Sequence, residues 1–120
     1  MTHHIELGKK GEAFAAVSLE KKGHRILERN WSYSGYEIDI VSEHEESIVF
    51  VEVKTRTSAA WGLPGEAVGE RRMRRMIHAA DHYLRENRID KPARFDIVSL
   101  LWNKRQPELE HLEDAFMPFL

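Results

Sequence analysis

The segment Ser47–Arg56, SIVFVEVKTR, limits what this chain can fold into more than any other stretch. Val49, Val51 and Val53 alternate with Ile48, Phe50, Glu52 and Lys54, so a strand here carries apolar side chains on both faces. Such a strand belongs inside a sheet that is covered on both sides. Glu52 and Lys54 stand two residues apart and share a face. Burying them is costly unless they meet each other, a metal or a ligand. An isolated Glu-x-Lys in a strand is ordinarily a solvated ion pair of little energetic value. Its apolar setting here makes a functional site the competing reading.

The rest of the pattern surrounds that strand. Residues 8–22 predict a helix, with Gly8 and Gly11 loosening its start and Gly23 placed to end it in the left-handed region. Glu12, Ala15, Ala16 and Leu19 share one side of it, leaving Glu12 at the edge of a small apolar face. Residues 24–31 predict a strand and 32–35 a turn. In YEIDIVS (36–42), Tyr36, Ile38 and Ile40 are expected on one face and Glu37, Asp39 and Val41 on the other. Glu37 is expected to be solvated or at the rim of any site. After a loop at 57–65, Met73, Met76, Ile77, Ala80, Tyr83 and Leu84 make the stripe of a long helix over 66–87. Residues 94–101 predict a strand, 108–112 an edge strand, and Phe116 and Phe119 are expected to pack. Three strands can meander, and the long helix can cross over to bring the fourth beside them. The expectation is an α/β fold with a mixed sheet flanked by helices.

A chain of 120 residues suits one domain over 1–120. With no cysteine, disulfides, thiolate metal sites and cysteine nucleophiles are excluded. The N-terminal stretch lacks the apolar run of a secretory signal, and nothing approaches the ~20 apolar residues needed to cross a bilayer. A cytoplasmic location is therefore expected. The seven histidines show no recognised zinc spacing. Gly62, Gly65 and Gly69 lack the strand-to-helix setting of a phosphate-binding loop, which sets nucleotide hydrolysis aside. The net charge of -2 argues mildly against strong unspecific nucleic-acid binding, but its distribution is uneven. Residues 31–53 hold six acids and no lysine or arginine, whereas 54–75 hold Lys54, Arg56, Arg71, Arg72, Arg74 and Arg75 against two acids. An acidic pocket beside a basic rim suits a metal ion together with a phosphate backbone.

Alternation allows Asp39 to point the same way as Glu52 and Lys54 on the neighbouring strand, and the first helix can bring Glu12 over that face. Asp39 and Glu52 are hard oxygen donors suited to Mg²⁺ or Mn²⁺, and the Val53 carbonyl can add a third oxygen. Lys54 can orient or activate water and offset developing charge. Glu12 can hold a metal-bound water or help a second ion.

The pieces KKGEAFAAVSLEKKGHRILERNW, YEIDIV, VFVEVKTR, GLPGEAV, RFDIVSL and HLEDAFMPF resemble the YraN-like family of uncharacterised bacterial proteins over nearly the whole chain. The resemblance implies a restriction-endonuclease-like core, with a site similar to that of archaeal Holliday junction resolvases. It makes Glu12 the helix acid, Asp39 the first metal-binding acid, and Glu52 with Lys54 the acid and lysine of the core motif. The family's Gly-Glu-Ile-Asp string appears here as Gly35-Tyr36-Glu37-Ile38-Asp39, with a tyrosine inserted that leaves the Glu-Ile-Asp spacing intact.

The function expected is divalent-metal-dependent hydrolysis of DNA phosphodiester bonds, on branched or otherwise nonduplex substrates. Arg56, Arg71, Arg72, Arg74 and Arg75 are candidate phosphate contacts, against the plain reading of a solvated face. Trp61 is a candidate for stacking on an unpaired base, or equally for packing on the long helix. A homodimer would let a small domain span two strands. The alternative is a domain that keeps the nuclease fold but serves nucleic-acid or protein binding with little cleavage.

Overall fold

The chain runs α1 (Thr2–Lys21), β1 (Arg25–Tyr33), β2 (Tyr36–His44), β3 (Ser47–Arg56), α2 (Glu70–Glu86), β4 (Ala93–Trp102) and β5 (Pro107–Leu112). This computed structural model describes residues 2–57, 69–102 and 107–116. Trp61 with most of its loop, the expected first turn of the long helix at 66–68, and Phe119 lie outside the described residues.

The strands form one mixed sheet in the order β1-β2-β3-β4-β5. β1, β2 and β3 are an antiparallel meander, β3 and β4 are parallel, and β5 returns antiparallel on β4. A parallel neighbour needs a crossover, and α2 supplies it. This is the restriction-endonuclease-like core that the motifs imply. Among the described residues no helix is long and apolar enough to cross a membrane.

α1 starts earlier than its apolar pattern suggests but stops where Gly23 requires. Gly23 sits at φ +98, and the backbone N–H groups of Gly23 and His24 donate to the Glu20 and Leu19 carbonyls, each at 3.0 Å. That left-handed cap satisfies carbonyls that would otherwise be orphaned. The turn after β1 is shorter than expected. Tyr33 pairs with Tyr36, so only Ser34 and Gly35 connect the strands, both left-handed as a tight two-residue hairpin demands.

Each sheet face has its own core. α2 covers Ile38, Val41, Ile48, Phe50 and Phe95 with Met76, Ala79, Ala80 and Tyr83. α1 covers Ile40, Val49, Val51, Val98 and Leu100 with Ala15, Ala16 and Leu19. Phe50 and Phe95 stack 5.7 Å apart and are essentially inaccessible. Truncating either to alanine costs about 3–5 kcal/mol.

These two layers correct the alternation expected for β2. Ile38 belongs to the α2 layer, Ile40 to the α1 layer, and Val41 to the α2 layer again. The break falls at Asp39, where β2 leaves its ladder with β3 at Ile40↔Val51. Between the pairs Arg29↔Ile40 and Trp31↔Ile38 lies Asn30, at φ +54. Asparagine tolerates that left-handed conformation better than most residues.

Candidate metal centre

The β2–β3 ladder runs only from His44↔Ser47 to Ile40↔Val51. β1 stays on β2 as far as Tyr33↔Tyr36, and β4 stays on β3 as far as Arg56↔Leu101. The sheet therefore forks between residues 36–39 and 52–56. Asp39 sits in the crotch. Its Oδ2 accepts a 2.8 Å hydrogen bond from the Val53 backbone N–H, in place of a ladder bond that the parting strands cannot make.

Glu12, Glu37 and Asp39 converge on one side of this fork, with one carboxylate oxygen from each lying within 4.8 Å of the others. Glu37 and Asp39 are two apart on β2 and share a face. Glu12 arrives from α1, and the Asn30 side chain donates a hydrogen bond to it. Burial, then Asp39, then Glu37 push the Glu12 carboxyl above its ordinary range. Burial likewise raises Asp39, and the Val53 N–H only partly offsets it. Arg29 beside Glu12, and Arg72 and Lys54 beside Asp39, offset these shifts only in part, so the cluster is short of positive charge. Three hard oxygen donors at this spacing can coordinate one divalent cation.

Glu52 approaches from the α2 side and is 1% exposed. Its Oε1 faces the Tyr36 hydroxyl at 3.5 Å, a long hydrogen bond. Its Oε2 lies 2.5 Å from Arg72 Nη2 and 3.8 Å from Lys54 Nζ. Burial pushes the Glu52 carboxyl up to about 7; Asp39 adds to the shift, and Arg72 and Lys54 restrain it. Arg72 also hydrogen-bonds Tyr36, over whose ring the Arg75 guanidinium carbon stands at 5.5 Å.

The candidates read from sequence are thus divided by the fork. Glu12 and Asp39 meet in the carboxylate triad together with Glu37, which the sequence assigned to the rim. Glu52 and Lys54 form an ion pair and stand outside the triad, coupled to it through Asp39. Val53 contributes its N–H to Asp39. Arg56 is half-buried at the end of β3, and Arg72 is on Glu52. Arg71, Arg74 and Arg75 are exposed on the first turns of α2, with Arg74 paired to Glu70 at 2.6 Å. Asn30 was missed altogether, although an asparagine inside a strand is itself a signal for a left-handed residue.

The sequence pattern of the uncharacterised protein family UPF0102 matches residues 11–100, which span every candidate above. A UPF0102 protein of Phocaeicola vulgatus is 43% identical over 118 residues, covering 98% of both chains. One of Geobacter metallireducens is 44% identical over 115 residues, covering 95% of this chain and 94% of its own. One of Flavobacterium johnsoniae is 43% identical, covering 99% of this chain and all of its own.

Proposed function

This chain belongs to the uncharacterised protein family UPF0102, and from that footing we propose that it is a divalent-metal-dependent nuclease hydrolysing DNA phosphodiester bonds. The observation that carries this reading is the convergence of Glu12, Glu37 and Asp39 at a fork that also holds Glu52 and Lys54. Glu12, Glu37 and Asp39 hold Mg²⁺ or Mn²⁺, with Glu52 and the Val53 carbonyl as the further oxygens within the site. A bound ion supplies Lewis acidity to a phosphate oxygen and lowers the pKa of an attacking water. The chain's own groups do the rest. Lys54 sets a positive charge beside the reacting phosphate and orients water. Asp39 is fixed by the Val53 N–H, so its free oxygen keeps one direction. Arg56, Arg71, Arg74 and Arg75 line a rim for backbone phosphates, whose contacts position DNA without reading sequence. Branched or nonduplex DNA is the substrate class, engaged by a homodimer that offers one site to each strand.

A second reading has one observation in its favour. Arg72 already satisfies Glu52, as a structural ion pair would in a binding domain that keeps the fold without cleavage. Purified protein incubated with linear, single-stranded and branched DNA in Mg²⁺ or Mn²⁺ separates the two. The nuclease reading expects metal-dependent cleavage that Asp39→Ala and Lys54→Ala each abolish while the fold survives. Binding without cleavage across those substrates and metals would give the case to the second reading.

A further inference from the structure

The two cations on Glu52 differ in what holds them there. Lys54 shares the strand and the face of Glu52, and its side chain is 28% exposed. Arg72 reaches down from the first turn of α2 and keeps 43% of its side chain in solvent. The oxygen they share, Oε2, is fully buried, and among the described residues these two ion pairs are what hold it, without a well-aligned hydrogen bond. An oxygen held by ion pairs accepts one cation in place of another. Arginine is donor-only and permanently charged, so its guanidinium and a divalent ion cannot share that oxygen. Arg75, one turn further along α2, is exposed on the same side of the helix and adds to the positive charge there.

We propose that Arg72 is a built-in cation that closes Glu52 to divalent ions, and that the fork accepts a second ion only after Arg72 has been drawn off. The inference rests on the metal-centre reading above and adds its regulation. With Arg72 in place, a divalent ion is left with the carboxylates of Glu12, Glu37 and Asp39 and the Val53 carbonyl, without Glu52. A backbone phosphate matches the planar guanidinium fork better than one carboxylate oxygen does, and offers Arg72 a partner outside the crotch. Glu52 then lies open beside Asp39, and the arrival of substrate is what completes the cation set.

The test is to count Mn²⁺ ions bound to the full chain without nucleic acid, following free Mn²⁺ by electron paramagnetic resonance. Wild type is expected to take about one ion, and Arg72→Met about two. Arg72→Gln leaves Glu52 a hydrogen-bond donor without the charge and is expected to behave like Arg72→Met. It keeps the test open if the methionine variant fails to fold. Adding Glu52→Gln to Arg72→Gln is expected to return the count to about one. Equal counts in wild type and both Arg72 variants would overturn the role of Arg72, as would two ions in wild type. No ion in wild type and one in the variants would sink the Glu12–Glu37–Asp39 centre and leave Arg72 standing. No ion in any of them would remove both.

Discussion

Gly11 in α1 lies so close to Thr55 in β3 that a Cβ built on it would stand 1.9 Å from the Thr55 hydroxyl oxygen. Rotating the hydroxyl away gives no relief, because the Thr55 Cβ and Cγ2 are at 3.0 and 3.2 Å from the same point. The contact sets how deeply α1 sits on the sheet, and the next residue is Glu12. Gly11→Ala gains helix propensity of about 1 kcal/mol but overpacks a site whose cost is about 1–3 kcal/mol. The expected result is a net loss of stability together with weaker Mn²⁺ binding, as Glu12 lifts from Glu37 and Asp39. Gly11→Ala with Thr55→Gly is expected to recover both. Denaturant melts and Mn²⁺ titration of the two proteins check it; a Gly11→Ala protein with unchanged metal affinity would count against the coupling.

Asn30 links backbone strain to the same carboxylate. It holds φ at +54 and donates to Glu12 from its side chain. Asn30→Gly keeps the backbone conformation and loses only the hydrogen bond. Asn30→Ala loses the bond and also meets the left-handed penalty of about 1–2 kcal/mol. Alanine is therefore expected to melt lower than glycine, whereas both weaken Mn²⁺ binding to a similar extent. Equal melting of the two variants would mean that the strand does not need the left-handed conformation at Asn30.

Much of this fold was legible because it is written in apolar periodicity. The strand at Ser47–Arg56 has the bounds its pattern gives, and the crossover by α2 follows from strand order. What could not be read depends on departures from periodicity. Alternation placed Ile40 with Ile38, but a break in alternation at Asp39 puts it in the other core. The break coincides with the fork, and a fork separates carboxylates that strict alternation would gather. Glu37 thus joins Glu12 and Asp39, while Glu52 turns to Arg72, a residue twenty positions further along the chain with no local signal for that contact.

The ionisation of the fork makes metal affinity and stability run in opposite directions with pH. Glu52 is raised from 4.5 to about 7, and Glu12 and Asp39 are raised as well. A carboxyl raised in the folded state stabilises it below its unfolded value, and that contribution is lost as pH rises through the folded value. The contribution of Glu52 to the stability of metal-free protein is therefore expected to be lost between pH 4.5 and about 7, by an amount on the order of 3 kcal/mol. Mn²⁺ affinity rises across the same window, because ligands must ionise to bind, and binding releases protons. Relative to wild type, metal-free Glu52→Gln is expected to gain stability as pH rises from 4.5 to about 7. Calorimetry in buffers of different ionisation enthalpy counts the protons, and a count of zero at pH 6 would contradict the shifts.

On β4, in register with Val51, Asp96 joins its strand to β5 and to the turn that follows, and gives acid sensitivity of the opposite sign. It is fully buried, and accepts from Arg94 Nε and Nη2 at 3.0 and 2.9 Å, His111 Nε2 at 2.7 Å and the Asp114 backbone N–H at 3.0 Å. Those donors overcome burial and hold its carboxyl down at about 2. Beside it His24 stacks face to face on His44 at 4.0 Å, with Ser42 Oγ 2.8 Å from its Nδ1 and, among the described residues, no hydrogen-bond partner for its buried Nε2. Burial, then His44 and Arg94, depress His24 to about 4. A depressed group stabilises the fold above its unfolded value, so the His24 contribution fades as pH falls from 6.5 to about 4, and the Asp96 contribution below 3.8. Asp96→Ala leaves Arg94 and His111 without their shared anion and is expected to cost about 3–5 kcal/mol at neutral pH. His24→Phe keeps the ring stack without the proton and is expected to shift the onset of acid unfolding downward. Circular dichroism melts from pH 7 to 4 measure both, and an unchanged acid limb in His24→Phe would assign the sensitivity to another group.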